Sequence, residues 1–190
     1  MFRKVVSFFA FATFAVFSTG AVAQTYTVEP RHTHITWATS HFGTSTFRGK
    51  LNKTSGKVSL DLQSQSGSVE ISVDPTGQLS GDDRLDKHLA GEDFFNLAKF
   101  ATATFKSSKV EFNGDAPARI EGELTLLGVT RPLTLTVTAF KCQMHPIIKK
   151  DYCGADATAT IRRSDWGMKY AVPRIGDDVK LDIAIEAIKD

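Results

Sequence analysis

The sequence of 190 residues has little excess charge and few cysteines. It carries 23 basic and 21 acidic residues, a formal net charge of +2, and two cysteines. A protein that binds a polyanion is expected to show a basic excess or a basic stripe, so this balance argues against a nucleic-acid partner. Long helical stretches are nearly absent, and there is no linker, internal repeat or low-complexity tract. The sequence therefore predicts a single domain in which helices are not the main element.

The motifs of common enzyme classes are also missing. The chain has no Gly-x-Ser-x-Gly elbow, no His-Glu-x-x-His pair, no phosphate-cradling glycine loop and no compact pair of carboxylates. Ser164, Asp165 and five scattered histidines do not define a catalytic triad. His32 and His34 would share one strand face, but no third ligand has an evident spacing. We therefore expect no catalytic residues, no metal and no cofactor.

The first 23 residues have the features of a signal peptide. Met1 to Lys4 is a positively charged start, Val5 to Phe17 is an apolar run, and Ala21 to Ala23 has the small-x-small pattern of a cleavage site. The apolar run is shorter than the roughly 20 residues that a membrane-spanning helix needs. No cysteine lies at the cleavage junction, which argues against a lipid anchor. The sequence predicts cleavage after Ala23, a periplasmic protein and a mature domain over residues 24–190.

The main feature that is present is a series of amphipathic strands. Between Arg131 and Cys142, leucine and valine alternate with threonine, which gives a strand with one apolar face. The same alternation recurs in SGKVSLDL, GSVEISV and VKLDIAIEAI. One short helix is predicted at Asp82–Leu89, and a bulge is predicted near Ser107, where the apolar parity shifts. A chain this rich in amphipathic strands closes a sandwich or a barrel.

The two cysteines, Cys142 and Cys153, are predicted to form a disulfide. Nearby cysteines in an exported protein are usually paired, and these two flank a proline-containing segment typical of a hairpin turn. The alternative is a soft-metal site formed by both cysteines with Met144 and His145, because thiolate, thioether and imidazole suit copper. An oxidising compartment favours the disulfide.

Five segments spread over the mature chain resemble one known family. They are YTVEPRHTH near the start, FRG in an early strand, LDKHLAGEDFFNLAKFATATFKS, GELTLLGVTRPLTLTV and IRRSDWGMKY. Together they resemble the YceI family of exported, lipocalin-like proteins, whose members are associated with polyisoprenoid lipids. The resemblance implies an all-β fold, an eight-stranded antiparallel barrel with a short helix capping one end, and an elongated apolar cavity. It also implies a long isoprenoid-type lipid, such as a quinone or its precursor, as the ligand.

The residues themselves also point to a cavity. An eight-stranded barrel has an interior that side chains just fill, or that holds one small ligand when enough of them are small. Ala155, Ala157 and Ala159 share one strand face, where a filled core would carry leucine or isoleucine. If this face points inward, it leaves room for an extended lipid chain. In the alternative, bulky partners such as Trp37 and Phe105 fill that room.

We expect the ligand to contact a set of apolar residues that are large or that lie near the ends of elements, where the mouths of a barrel are. The predicted ligand-binding residues are Ile35, Trp37, Phe47, Phe94, Phe95, Phe105, Leu124, Leu126, Leu133, Leu135, Ala157, Ala159, Trp166 and Met168. Any one of them alone is as well explained as a core residue. Arg162, Arg163, Asp165 and Arg174 indicate a solvated charged rim.

The sequence thus predicts an exported lipid-binding barrel that transports, stores or sequesters its ligand. The expected partners are an isoprenoid lipid and a membrane or membrane protein for its delivery, and a homodimer is compatible with the resemblance. The main alternative is a stress-linked structural or chaperone-like periplasmic protein with an incidental cavity. An enzyme and a metal-binding protein are less favoured alternatives.

Overall fold

Strands make up most of residues 23–190, which are the residues that the computed structural model describes. The predicted signal peptide, except for Ala23, lies outside the described residues. The strands are β1 Gln24–Val28, β2 His34–His41, β3 Ser45–Leu51, β4 Thr54–Asp61, β5 Ser66–Val73, β6 Gln78–Leu79, β7 Ala103–Asn113, β8 Ala116–Leu126, β9 Val129–Met144, β10 Asp151–Arg162 and β11 Ile175–Lys189. Helix α1 is Asp83–Ala90. Within residues 23–190, no helix is both long enough and apolar enough to cross a bilayer.

Short interruptions divide three long strands of the sheet into pieces. Residues 29–33 separate β1 from β2, residues 52–53 separate β3 from β4, and a turn at Pro75–Gly77 separates β5 from β6. β2 pairs with β3 and β1 pairs with β4, so these four pieces form the two arms of one long hairpin. Counted in this way, eight antiparallel strands follow one another, and pairing of β1 with β11 closes the ring. The predicted all-β, eight-stranded lipocalin-like barrel is confirmed.

The local patterns that predicted the strands hold in the structure. On β9, Leu135 is buried inside the barrel while Thr136 is exposed outside, as the period of two requires. The register of β7 against β8 shifts between Ser107 and Lys109, so the bulge expected near Ser107 is present. Three further register shifts, at Glu111/Phe112, Asp156/Ala157 and Ile175/Val179, were not expected.

The two ends of the barrel differ. At the end that we call the helix end, α1 covers the opening. Its N-cap residue Asp82 accepts hydrogen bonds from the backbone N–H groups of Arg84 and Leu85, at 3.0 Å and 2.9 Å. Leu89 of α1 is buried against the barrel interior. The opposite end, which we call the hairpin end, carries the tight turns at residues 62–65, 114–115 and 145–150.

Cys142 and Cys153 are directly opposite each other on β9 and β10, and a disulfide joins them. Their Cα atoms are 4.0 Å apart. The predicted disulfide is therefore confirmed, and it ties the two strands together just above the longest turn of the hairpin end.

Candidate ligand-binding cavity

The interior of the barrel contains two apolar chambers. The helix-end chamber has a volume of about 140 Å³ and the hairpin-end chamber about 150 Å³. A single buried water needs roughly 10–15 Å³ on the same scale, so each chamber is far larger than a packing defect. Five residues line both chambers and mark where they meet: Ile35, Val73, Ala103, Leu124 and Leu181. The chambers therefore lie end to end along the barrel.

Three aromatic side chains, those of Trp37, Phe94 and Phe95, line the helix-end chamber. Trp37 of β2 lies against the backbone of Gly49, its partner on β3. A Cβ atom at position 49 would be 2.2 Å from Cζ2 of the Trp37 ring, so only glycine leaves room for the indole. Phe94 and Met168 pack in the same cluster as Trp37. The pairing of β2 with β3 thus places the indole ring of Trp37 on the wall of the helix-end chamber.

The hairpin-end chamber repeats this arrangement with a different ring. Phe105 of β7 lies against Gly122 of β8, where a Cβ atom would be 2.7 Å from Cζ of the phenyl ring. Ala155 and Ala157 line the opposite wall, so the alanine face does point into the barrel. No polar atom contributes to the exposed wall of this chamber. It offers a ligand only dispersion contacts and the hydrophobic effect.

Most of the predicted ligand-binding residues are brought together by the fold. Eleven of them line one or both chambers: Ile35, Trp37, Phe94, Phe95, Phe105, Leu124, Leu126, Leu133, Leu135, Ala157 and Met168. Phe47 packs behind the wall against the cluster of Trp37, and Ala159 packs beside the hairpin-end chamber without lining it. Trp166 is buried and donates its indole N–H to the carbonyl oxygen of Leu124 at 3.1 Å. That these residues bind a ligand stays a prediction.

Strand β11 supplies wall residues that the sequence interpretation did not select. Val179 and Leu181 line the helix-end chamber, and Leu181, Ile183 and Ile185 line the hairpin-end chamber. The signal was present, because these residues alternate with polar ones in VKLDIAIEAI. Strand β11 runs the full length of the barrel, and its apolar face therefore joins both chambers.

Arg163 is the clearest error of the sequence interpretation. The sequence indicates a solvated rim that includes Arg163, but only 2% of the surface of this residue is exposed. Its guanidinium group donates hydrogen bonds of 2.8–3.0 Å to four backbone carbonyl groups, those of Met168, Tyr170, Ile175 and Gly176. Burial lowers the pKa of the Arg163 guanidinium, and the charge of Asp177 partly offsets that effect. Arg163 thereby fixes the path of residues 163–176.

Arg163 is also the one charged residue on the walls of the two chambers. Two buried polar atoms on these walls have no hydrogen-bond partner among residues 23–190: Nε1 of Trp37 and Oγ1 of Thr54. An unpaired buried donor or acceptor costs about 1–3 kcal/mol. Both atoms are covered by neighbouring groups, so a ligand in either chamber meets a wall made mainly of carbon.

His32 and His34 do not form a shared site. His32 precedes β2, and its Nδ1 atom lies 2.7 Å from Oε2 of Glu29 and 3.8 Å from Oε2 of Glu186. These three side chains bring potential ligand atoms within 4.8 Å of one another, a grouping that the sequence did not reveal. Burial raises the pKa of the Glu29 carboxyl, but hydrogen bonds from Arg31 and His32 outweigh burial and the net pKa is lowered. The cluster is explained by Glu29 capping the turn between β1 and β2.

The fold and its interior together define a class of protein, the lipocalin-like antiparallel barrels with an apolar cavity. A model of the YceI-like domain matches residues 26–187. The chain belongs to the YceI family. A UPF0312 protein of Pseudomonas fluorescens is 33% identical over 193 residues, covering 100% of this chain and 99% of the relative. A UPF0312 protein of Shewanella oneidensis is 33% identical over 191 residues, covering 100% and 97%.

Solved structures share the fold at lower identity. BcnA of Burkholderia cenocepacia superposes with a TM-score of 0.70 at 21% identity, over 84% of this chain and 99% of BcnA. A polyisoprenoid binding domain from Saccharophagus degradans, implicated in plant cell wall breakdown, superposes with a TM-score of 0.65 at 13% identity. That match covers 87% of this chain and 98% of the domain. At these identities the likeness shows the shared fold.

Proposed function

We propose that this protein is exported and holds one long isoprenoid-type lipid, such as a quinone or its precursor, along the barrel interior. The observation that carries the proposal is the pair of adjoining apolar chambers that lie end to end along the barrel and share five wall residues. The polyisoprenoid binding described for the similar Saccharophagus degradans domain supports this choice of ligand. Holding the lipid serves its transport, storage or sequestration.

The chemistry of the walls suits a hydrocarbon chain. Burying one methylene group contributes about 0.8 kcal/mol, so a chain that fills both chambers gains affinity without any polar contact. A rigid polar ligand fits poorly, because it would lose its hydrogen bonds to water and the wall of the hairpin-end chamber offers no polar atoms to replace them. The same walls provide no group that would act as acid, base or nucleophile, and we assign the cavity a binding role.

Two measurements test the proposal. Organic extraction of the purified protein, followed by mass spectrometry, should recover an isoprenoid lipid at close to one molecule per chain. The variant Ala157→Leu adds volume to the hairpin-end chamber and should recover less lipid, while the delipidated variant remains folded. Ala139→Leu is the matched control, because Ala139 is exposed on the outer face of the neighbouring strand β9, opposite Asp156, and the same change there adds no volume inside the barrel.

The outcome against the proposal is equally clear. A protein that carries no lipid after purification, and that binds no added prenylated quinone after delipidation, does not have this function. That result favours the structural or chaperone-like alternative, in which the cavity is incidental. Bound lipid stabilises the folded state, so the stability of the variants must be compared after delipidation.

A further inference from the structure

The turn between β9 and β10 exposes several large apolar side chains. We call residues 144–150 the hairpin tip. Ile147 is 82% exposed, Met144 58% and Ile148 46%. Pro146 is exposed beside them. Large apolar side chains grouped at the surface in this way mark a surface that contacts another apolar phase.

The hairpin tip is an ordered structure with its own hydrogen bonds. Nδ1 of His145 accepts hydrogen bonds from the backbone N–H groups of Ile147 and Ile148, at 3.2 Å and 3.3 Å. The backbone N–H of His145 donates to the carbonyl oxygen of Lys150 at 2.8 Å. The His145 ring packs on Tyr152, and the disulfide of Cys142 closes the hairpin beneath it. The turn that carries the exposed Ile147 and Ile148 is therefore held in place by hydrogen bonds and by the disulfide.

Positive charge surrounds the apolar tip. Lys141, Lys149 and Lys150 are exposed, and none of them forms an ion pair with a carboxylate of the described chain. The neighbouring carboxylate of Asp151 is neutralised by Lys189 at 3.2 Å. An apolar projection ringed by lysines is the pattern of segments that insert shallowly into an anionic lipid surface.

We propose that the hairpin tip docks this protein on an anionic lipid bilayer, with Ile147 and Ile148 entering the interfacial layer and the lysines contacting lipid headgroups. The charge argues against a second copy as the occupant, because a two-fold contact through the tip would bring the same lysines face to face. Lys150 donates from Nζ to the carbonyl oxygen of Lys189 at 3.5 Å, a long contact at an exposed position, and the stems of Lys141 and Lys149 extend toward headgroups while the isoleucines are buried.

Docking in this orientation brings the hairpin-end chamber toward the bilayer. Phe140 and Ala155, which flank the disulfide on β9 and β10, both line that chamber. Docking thus holds the cavity beside the bilayer that would supply or receive an apolar ligand, while the buried cluster of Tyr26, Leu60, Cys153 and Ala187 keeps the hairpin end itself closed. This purpose rests on the proposed function, whereas the docking itself does not.

Vesicle flotation tests the docking with lipids that contain no isoprenoid. The protein expressed from its full sequence is mixed with vesicles of phosphatidylcholine alone, or with 30 mol% phosphatidylglycerol, a content of roughly one anionic lipid in three chosen to attract lysines. We expect clear binding to the anionic vesicles and weak binding to the neutral ones. Lys149→Gln with Lys150→Gln should weaken anionic binding roughly 30-fold. Ile147→Ser with Ile148→Ser should weaken it at least about 10-fold.

The matched control is Phe42→Asn. Phe42 is 56% exposed in a turn at the helix end, and its positive φ of 55° suits asparagine. The control should bind vesicles as the unaltered protein does. Equal loss of binding in the control and the tip variants overturns the proposal, as does equal binding to neutral and anionic vesicles.

Two further readouts distinguish membrane docking from misfolding and from self-association. Thermal unfolding checks that the tip variants remain folded, which their exposure favours. Sedimentation velocity shows whether the tip variants convert a dimer into a monomer, a result that would assign the tip to self-association and overturn the membrane proposal. Mass spectrometry of copurified lipid is independent of both, so docking without bound isoprenoid would reject the proposed function and leave the docking intact.

Discussion

The helix end and the hairpin end of the barrel are closed by different kinds of interaction. At the helix end, α1 and residues 163–174 lie outside the strand ladder, and the four carbonyl hydrogen bonds of Arg163 order the second of these segments. At the hairpin end, Tyr26, Leu60, Cys153 and Ala187 form a small buried cluster between paired strands. The helix end can therefore rearrange without breaking strand pairs, whereas the hairpin end cannot.

The largest expected effect comes from removing the cation that orders the helix end. Arg163→Met keeps most of the side-chain volume but leaves one buried and three partly buried carbonyl groups without their donor. We expect the free energy of unfolding to fall by about 3–5 kcal/mol, because breaking a buried polar network costs far more than breaking an exposed one. Denaturant unfolding measures this loss.

The neighbouring arginine provides the control for this change. Arg162 is exposed and pairs with Asp177 at 3.3 Å, so Arg162→Met should change the free energy of unfolding by no more than about 1 kcal/mol. Similar losses for the two variants would mean that Arg163 does not order the helix end.

The second prediction addresses the hairpin end. Replacing Cys142 and Cys153 together by alanine removes a cross-link between residues 11 apart. The chain-entropy model gives a loss of about 2–3 kcal/mol in the free energy of unfolding. Trp37 and Trp166 both lie toward the helix end, so the fluorescence spectrum of the folded variant should match that of the unaltered protein. A shifted spectrum would show that the two ends are coupled.

The same two ends show what the sequence could and could not predict about the fold. Strands, the bulge near Ser107 and helix α1 follow from local periodicity and capping, which the sequence displays directly. The joining of β1 with β2 and of β3 with β4 into the two arms of one hairpin depends on how eight strands close into a ring. Such closure is a property of the whole ladder, and no local pattern reports it.

The candidate site divides in a similar way. Eleven of the fourteen predicted ligand-binding residues line the chambers, and the alanine face, whose direction the sequence left open, points inward at Ala155 and Ala157. The burial of Arg163 was missed, because its carbonyl partners are supplied by a loop whose path has no periodic signal. Trp166 is buried behind Leu124, to whose carbonyl oxygen its N–H donates, and its contact with a ligand stays a prediction. The residue type alone does not show whether a side chain lines a chamber or packs behind the residues that line it.

The third prediction compares the glycines beneath the two aromatic rings. Gly49→Ala should push the Trp37 ring into the helix-end chamber, since a side chain is the main obstacle there. Gly122→Ala also meets the backbone oxygen of Lys106, 2.4 Å from the new Cβ, which yields less easily. Both should lower the free energy of unfolding by about 1–3 kcal/mol, with the larger loss for Gly122→Ala. Denaturant unfolding of delipidated protein measures both losses, and the reverse order would show that the indole is the more tightly held ring.

The smallest expected effect is a dependence of the helix end on acid. Burial raises the pKa of the Asp177 carboxyl. The backbone N–H and the hydroxyl of Ser164 donate hydrogen bonds to it at 2.8 Å and 2.7 Å, and Arg162 donates another. These hydrogen bonds outweigh burial, so the net pKa lies below its usual value of 3.8. A carboxyl with a lowered folded-state pKa stabilises the fold above its unfolded pKa, and this contribution is lost as the pH falls below about 3.8 toward the folded value. Asp177→Asn should therefore flatten the fall in unfolding free energy below that pH, whereas Asp165→Asn, at an exposed position of the turn at residues 163–166, should keep the original slope. If Asp177→Asn keeps it too, the acid sensitivity of the fold arises elsewhere, and the helix end is held by Arg163 and apolar packing without help from this carboxylate.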